Sequence, residues 1–232
     1  KLLIQDGANV LILDKIIKDK SKKKYNKKNL KYIYFDLEKI LKSDDYFNKV
    51  FINKKVPDIF INCSYPKTAD WKKGDFKNIK FESFKKNIDI QLTANTWINY
   101  QAALIMKKKK IKGKIIQIGS IYGKVSQDLE LYKRTTIKES FTYPLIKGGM
   151  SKFMQQMAVY FAKYNIIINT VSPGGIKNNQ DKKFISNYSS RTPLKRMANA
   201  DEISSLVRFL CTEESSYIVG QDIIIDGGFS KI

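Results

Sequence analysis

The sequence reads Tyr143-Pro144-Leu145-Ile146-Lys147 at the start of one apolar-periodic stretch and Gly119-Ser120 at the end of an apolar run over 114–119. The periodicity predicts a helix over 143–164, which places Tyr143 and Lys147 four residues apart on one face. A phenol is neutral near pH 7, but an ammonium group beside it favours the ionised form and lowers its pKa. Tyr143 is therefore a candidate general acid or base.

The order of the motifs around Tyr143 carries more information than the pair alone. A tyrosine and a lysine four apart on a helix are by themselves more often structural than catalytic. Here a strand ends in Ser120, where open α/β sheets bind ligands. The Tyr-x-x-x-Lys pair, a further strand, Ser172-Pro173-Gly174-Gly175 and Asp226-Gly227-Gly228 then follow in that order. This order resembles the short-chain dehydrogenase/reductase family, from about residue 8 to residue 229.

The resemblance implies a Rossmann-type α/β fold, with a doubly wound, mainly parallel sheet in three layers. At 232 residues and 43% hydrophobic, the chain suits a single NAD(P)-binding domain over 1–232. The family carries a glycine-rich GxxxGxG turn after its first strand, and the sequence contains none. The opening residues read instead as the end of a helix closed by Gly7. We therefore expect an N-terminally truncated chain that lacks the first strand.

The activity implied by the resemblance is reversible hydride transfer between a nicotinamide cofactor and a carbonyl or alcohol. Tyr143 would exchange the proton with the substrate oxygen, and Ser120 would hold that oxygen. Lys147 would bind the nicotinamide ribose and depress the pKa of the tyrosine. Gln91 aligns with a catalytic asparagine of the family, and its extra methylene shifts the amide.

The cofactor is expected to be NAD rather than NADP. Asp14 follows a predicted buried strand, where the family's acidic residue hydrogen-bonds the adenosine ribose and repels a 2′-phosphate. The alternative for Asp14 is a helix N-cap. Asp36 matches the acidic position near the adenine ring. Further cofactor contacts are implied for Asn62, Tyr143, Lys147, Pro173, Gly174 and Ile176.

Three segments depart from the simplest family pattern. Asn62-Cys63-Ser64-Tyr65 stands where the family has Asn-Asn-Ala-Gly. The connection from Ser120 to Tyr143 is 23 residues long, and loops of this length usually have a function. Its residues Tyr132, Lys133, Arg134 and Thr135 predict a substrate loop, with a neutral insertion as the alternative. The polar stretch 177–199 predicts a mobile lid.

Secondary structure elsewhere is read from the same patterns. Leu37 to Val50 reads as one amphipathic helix and 81–110 as a long helix. The lysine-rich segment 18–31 reads as a loop or frayed helix.

Composition excludes several function classes. The sequence has no histidine, which removes Ser-His-Asp hydrolases and most catalytic zinc sites. The two cysteines, Cys63 and Cys211, lack metal-type spacing, so no metal is expected and reduced thiols fit the cytoplasm. No apolar run approaches the roughly 18 residues of a membrane span, so no membrane association is expected.

The formal net charge of +21 would ordinarily suggest a nucleic-acid partner. Only four of the 43 basic residues are arginine, and the lysines are scattered over every segment. This distribution favours a compositional bias toward lysine, with no specific nucleic-acid partner.

A narrower resemblance concerns the substrate. Ser120-Ile121-Tyr122-Gly123, the long insertion, Tyr160 to Tyr164 and Ser172 to Ile176 are similar to the oxidoreductases of flagellin and surface-glycan modification. The substrate would then be a sugar or sugar nucleotide, and the enzyme a homo-oligomer, either dimer or tetramer. A 3-oxoacyl-[acyl-carrier-protein] reductase is the alternative within enzymes. A non-catalytic nucleotide-binding or scaffold protein is the alternative from another class.

Overall fold

The computed structural model describes residues 1–16, 27–52 and 54–232. Its strands are β1 (Val10–Asp14), β2 (Leu30–Tyr34), β3 (Ile59–Asn62), β4 (Gly113–Ile118), β5 (Ile166–Pro173) and β6 (Asp222–Ile225). Its α-helices are α1 (Leu2–Gln5), α2 (Tyr46–Lys49), α3 (Phe81–Ile88), α4 (Ala94–Lys108), α5 (Tyr143–Phe161), α6 (Lys182–Arg191) and α7 (Ala200–Leu210).

All the strand pairs are parallel. One sheet has the order β1-β2, with Val10 opposite Leu30. The other has the order β3-β4-β5-β6. The two sheets share one core, since Leu13 of β1 and Phe60 of β3 both pack against the cluster that contains Ile115. The mainly parallel α/β fold is confirmed, with its strands in two sheets; the lack of a first strand stays a prediction.

Helices cover both faces of the four-stranded sheet. On one face Ile115 and Ile168 pack against α4 and α5, through side chains such as Met106. On the other face Ile116 and Val171 pack against α7. Each fully buried side chain of this size stabilises the fold by about 1.5–3 kcal/mol. The three layers therefore fix the carboxyl ends of β4 and β5 with respect to α5.

The segment from Leu37 to Val50 is not one helix, as the sequence predicts, but a 3-10 turn, Leu37–Leu41, followed by α2. The Ser43 hydroxyl donates to the Asp45 carboxylate, 2.6 Å away, between the two pieces. Short polar side chains of this kind hydrogen-bond locally and favour turns over helix interiors. Of the lysine-rich segment 18–31, residues 18–26 lie outside the described residues.

The long helix predicted over 81–110 is present as α3 and α4, joined by a π-helical turn, Asp89–Thr93. Such turns occur frequently at functional sites, and this one carries Gln91. The stretch 177–199, predicted as a mobile lid, includes a helix, and its mobility stays a prediction. It contains α6, whose Phe184 and Tyr188 are buried.

Residues 1–16, 27–52 and 54–232 contain neither a candidate membrane span nor a candidate metal cluster. None of their helices combines the length and apolar composition needed to cross a bilayer. No three His, Cys, Asp or Glu side chains in these ranges come together as metal ligands.

Candidate active site

Ser120 and Tyr143 meet at the carboxyl edge of β4. Ser120 is the N-cap of a 3-10 turn, Ile121–Gly123, and its Oγ accepts a hydrogen bond from the Tyr122 amide. Tyr143 begins α5, and Pro144 next to it suits the first turn of a helix because its missing N–H has no partner there. The Ser120 side chain lies close enough to the Tyr143 phenol to lower its pKa. The structure therefore joins the two residues predicted to act on a substrate oxygen.

Lys147 lies one turn after Tyr143 and is only 5% exposed. Its Nζ donates to the Ile118 carbonyl, 3.2 Å away, at the end of β4. Burial lowers its pKa from 10.5 to about 8, and the nearby Cys63 thiol acts in the opposite direction. The ammonium group is thus held at the sheet edge with one backbone partner.

The expected depression of the Tyr143 pKa by Lys147 is not what the structure shows. Burial of the ring raises the pKa of Tyr143, and the Ser120 side chain lowers it by a smaller amount. The Lys147 Nζ lies 5.6 Å from the ring centroid of Tyr143 and is bonded to Ile118 instead. Desolvation is the larger of the two effects, so Tyr143 is a protonated phenol at neutral pH.

Three aromatic rings that sequence reasoning missed surround Tyr143. The ring centroids of Tyr65, Tyr122 and Trp71 lie 5.6, 6.3 and 6.4 Å from that of Tyr143. The Lys147 Nζ also lies 5.6 Å from the Tyr65 ring. The signal in the sequence was the tyrosine at the family's glycine position. These contacts contribute to the burial that raises the pKa of the Tyr143 phenol.

Gln91 is buried in the π-helical turn, away from direct contact with Lys147. Its Nε2 donates to Asn87 Oδ1, 3.0 Å away. Its Oε1 has no hydrogen-bond partner within the described part of the chain. Asn95 and Asn99 continue the same four-residue spacing along α4 and are equally buried. The predicted catalytic glutamine therefore belongs to a row of buried amides.

Hydrogen bonds connect this row of amides with Lys147 through the Ile118 carbonyl. Asn99 Nδ2 donates to Gln117 Oε1, 2.7 Å away. Gln117 Nε2 donates to the Ile118 carbonyl, 2.9 Å away, which also accepts from Lys147. The catalytic assignment of Gln91 stays a prediction, with this indirect connection as its structural basis.

The acidic residues predicted to bind the adenosine end occupy different environments. Asp14 ends β1 and is exposed, and its Oδ1 accepts from the Ile16 amide, 2.8 Å away. Asp36 caps the turn after β2 by accepting from the Glu38 amide, and it pairs with Lys15 at 3.0 Å. A contact of Asp36 with the adenine ring stays a prediction and would compete with these partners.

Asn62 ends β3 and is buried. Its Oδ1 accepts from both the amide and the hydroxyl of Ser64, and its Nδ2 donates to the Asn95 carbonyl. Its side chain thus shapes the Asn62-Cys63-Ser64-Tyr65 loop. Its predicted contact with a cofactor is not tested by these bonds.

The turn after β5 brings the backbone close to β6. The Gly174 amide donates to the Ile225 carbonyl, and a Cβ on Gly174 would lie 2.8 Å from the Asp226 Cβ. Only glycine allows this approach. Pro173 ends β5, and the Ile176 carbonyl accepts from the Gln180 side chain, 2.7 Å away. The three residues lie at the predicted edge, and their contact with nicotinamide stays a prediction.

The 23-residue connection is attached to α6. The amide and hydroxyl of Thr136 donate to Asp181, which caps α6. At the other end of the helix, Arg191 pairs with Asp128 at 3.2 Å. The Tyr132 ring contacts Phe184, and burial raises its pKa to about 12. The predicted substrate loop and lid therefore pack as one unit, while the substrate contact of 132–135 stays a prediction.

These residues fit one end of a nicotinamide dinucleotide better than its middle. Lys147, Ser120, Tyr143 and the close backbone approach at Gly174 converge on the carboxyl edge, where a nicotinamide and its ribose would bind. The exposed Asp14 suits the ribose hydroxyls of the adenosine end. A glycine-rich turn for the pyrophosphate is absent from the 232 residues.

A parallel, helix-covered sheet with Ser, Tyr and Lys at its carboxyl edge defines a Rossmann-type oxidoreductase. A family model described as "Enoyl-(Acyl carrier protein) reductase" matches residues 1–230. A short-chain dehydrogenase from Leptospira borgpetersenii, solved with bound NAD+, is 31% identical with a TM-score of 0.84 and covers 98% of this chain and 85% of its own. The chain belongs to the short-chain dehydrogenase/reductase family.

Two curated relatives are similar to this chain over more than half of its length. The "Post-translational flagellin modification protein A" of Campylobacter coli is 30% identical over 172 residues, or 74% of this chain. A 3-oxoacyl-[acyl-carrier-protein] reductase of Buchnera aphidicola is 33% identical over 145 residues, or 61% of this chain. The chain covers 67% of the first relative's length and 55% of the second's.

Proposed function

We propose that the chain carries the active site of an NAD-dependent oxidoreductase acting on a carbonyl or alcohol. The observation that carries this proposal is the proximity of the Ser120 side chain to the Tyr143 phenol, with the buried Lys147 one helical turn away. A proton donor, a second hydroxyl and a cation are thereby concentrated at one sheet edge.

The bound nicotinamide would supply a hydride to the substrate carbon, or accept one from it. During reduction the Tyr143 hydroxyl gives its proton to the substrate oxygen, so that a carbonyl, a hydride and a proton yield an alcohol. The Ser120 hydroxyl donates a hydrogen bond to the same oxygen. The resulting phenolate is stabilised by Lys147, which is mostly protonated below its pKa of about 8. Oxidation of an alcohol is the reverse.

The preferred cofactor is NAD, with NADP bound more weakly. Asp14 would accept hydrogen bonds from the adenosine ribose and repel a 2′-phosphate. The bound NAD+ of the Leptospira relative supports this preference.

The substrate is a sugar or sugar-nucleotide intermediate of surface-glycan biosynthesis. The name of the Campylobacter relative supports this class. The rings of Tyr65 and Trp71 beside Tyr143 suit the apolar face of a sugar ring. We place the reaction in the cytoplasm, without a specific nucleic-acid or membrane partner. Exposed apolar side chains on α5, among them Phe153 and Val159, support a homo-oligomer.

A second candidate is reduction of a 3-oxoacyl group on an acyl carrier protein. The Buchnera relative favours it. The net charge of +21 would attract an acidic carrier. The two functions differ in substrate but use the same three residues.

The test combines cofactor binding with turnover. In a Trp97→Phe variant, Trp71 is the sole tryptophan and lies 6.4 Å from Tyr143, so its fluorescence reports NAD binding at the site. NADH formation is then followed with nucleotide sugars and with a 3-hydroxyacyl pantetheine. We expect NAD to change the Trp71 signal and one substrate class to be oxidised.

The decisive variant is Tyr143→Phe, which removes only the phenolic proton. Loss of a general acid or base lowers turnover by about 10²–10⁴-fold, and we expect NAD binding to stay nearly unchanged. Tyr160→Phe, on the exposed face of the same helix, is the matched control. Equal turnover of the Tyr143→Phe variant and the control would refute the assignment.

A further inference from the structure

Asp222 is a buried carboxylate that the proposed chemistry does not use. It is the first residue of β6, and its side chain is only 2% exposed. Its Oδ2 lies 3.1 Å from the Lys124 Nζ and also accepts from the Ser151 hydroxyl. Its Oδ1 has no hydrogen-bond partner in the described ranges. A buried charge in this position requires both of its partners.

The two partners belong to the two elements that carry the catalytic residues. Lys124 is the C-cap of the 3-10 turn Ile121–Gly123, whose N-cap is Ser120. Ser151 lies on α5, one turn after Lys147. A single carboxylate therefore connects the turn of Ser120 with the helix of Tyr143.

The turn and the helix are also in direct backbone contact. A Cβ on Gly123 would lie 2.9 Å from both the carbonyl carbon and the carbonyl oxygen of Lys147. No side chain fits between them at this point. A small displacement of the turn along α5 would therefore change the distance between the Ser120 and Tyr143 hydroxyls.

We propose that Asp222 is a positioning residue that holds the Ser120 turn against the Tyr143 helix through Lys124 and Ser151. Its kinetic consequence rests on the proposed function, whereas its structural consequence does not. An asparagine at this position keeps the volume but loses the charge that pairs with Lys124. The Ser120 turn would then lose its ion pair with β6 through Lys124 and would keep its backbone contact with α5 at Gly123.

The first experiment needs no substrate. The full chain is labelled with ¹³Cζ-tyrosine, and the Tyr143 signal is assigned by its loss in Tyr143→Phe. We expect Asp222→Asn to move this signal in the same direction as Ser120→Ala does, because both weaken the interaction of the Ser120 side chain with the Tyr143 phenol. Lys124→Gln, at a partly exposed position, is expected to do the same and replaces Asp222→Asn if that variant does not fold.

The matched control is Lys114→Met. Lys114 is another buried lysine, on β4, and its Nζ donates to the Thr212 carbonyl. Its loss should lower stability without moving the Tyr143 signal. An unmoved Tyr143 signal in both Asp222→Asn and Lys124→Gln would overturn the proposal.

The second experiment measures turnover of the substrate identified for the wild-type chain. We expect Asp222→Asn to lower kcat by about tenfold, since misplacement of reacting groups costs this much or more, with KM for NAD unchanged. In a Ser120→Ala background the same substitution should have no further effect. Independent, additive losses would indicate a merely structural role and overturn the proposal. Absence of turnover in the wild type would contradict the proposed function instead, and the Tyr143 signal would then decide the positioning role.

Discussion

Strands β4 and β5 are buried along almost their whole length, whereas β1 and β2 are partly exposed at every position. The proposed catalytic edge, with Ser120, Tyr143 and Lys147, lies at the end of the buried strands. The proposed nucleotide edge, with Asp14 and Asp36, lies at the end of the exposed ones. The same parallel architecture therefore supports two regions that differ in burial.

The two edges also differ in the contacts that hold them together. At the catalytic edge, helix, turn and sheet are joined by Asp222 and by the Gly123 approach to Lys147. At the nucleotide edge, β1 has β2 as its hydrogen-bonded strand partner, and the chain contains no glycine-rich phosphate turn. On the proposed function, the groups that carry out the chemistry are therefore held in place by the fold, whereas dinucleotide binding would lack a phosphate turn.

The largest expected effect comes from adding a glycine-rich phosphate turn to the nucleotide edge. A strand, glycine-rich turn and helix from a family member are fused so that the helix continues into α1. We expect NAD affinity to rise about 100-fold, since hydrogen bonds to a charged group contribute about 1.5–3 kcal/mol each. Calorimetric titration of NAD into both chains measures the change.

A fused segment with its turn glycines replaced by alanine is the control. It supplies the strand but prevents close approach of the backbone to the pyrophosphate. It should raise the thermal midpoint without the full gain in affinity. Equal NAD affinity with and without the glycine-rich segment would show that the nucleotide edge is sufficient as it stands.

Apolar runs predicted the parallel strands and the helices that carry Tyr143 and Gln91, because periodicity reports which face is buried. The Ser, Tyr and Lys arrangement was predicted because its members each follow a strand or begin a helix. The break between Leu37 and Val50 was missed, since a helix-like apolar pattern hides local competition from Ser43 and Asp45.

Contacts between distant segments were beyond sequence reasoning. The packing of Tyr65 and Trp71 on Tyr143 depends on the path of a loop with no periodic pattern. The raised pKa of Tyr143 follows from that packing, so the expectation of a depressed value failed for the same reason. The bridge from Lys124 to Asp222 likewise exists only once β6 lies beside β5.

Burial at the catalytic edge predicts a pH-dependent stability. The pKa of Lys147 is about 8 in the folded chain and 10.5 without burial, so between these values the unfolded chain binds the extra proton. Stability contributed by neutral Lys147 is therefore present above pH 10.5 and lost as pH falls through 8. Relative to Lys147→Met, wild type should gain about 2 kcal/mol between pH 8 and about pH 9.5.

Urea unfolding of both proteins at the two pH values measures this difference. Lys152→Met removes an exposed lysine from the same helix and is the matched control, with a smaller expected change. If the difference in the free energy of unfolding between wild type and Lys147→Met were constant across this range, Lys147 would be solvated. The electrostatic evidence for a more buried catalytic edge would then be contradicted.

The smallest expected effect concerns Asp14, the exposed carboxylate of the nucleotide edge. Asp14→Ser removes the charge that would face the 2′-phosphate of NADP but retains a hydroxyl for the ribose. Because exposed charges interact by only about 1 kcal/mol at 4 Å in water, the preference for NAD over NADP should fall by roughly fivefold. The effect should shrink in added salt, which screens exposed charges but not hydrogen bonds.

Asp58→Ser is the control, since Asp58 is an exposed carboxylate just before β3, at the opposite end of the sheet. Affinities for both cofactors, measured at low and high salt in the fused chain, separate the two contributions. Equal affinity of the unsubstituted chain for NAD and NADP would show that Asp14 does not select the cofactor, and that its bond to the Ile16 amide is its principal interaction.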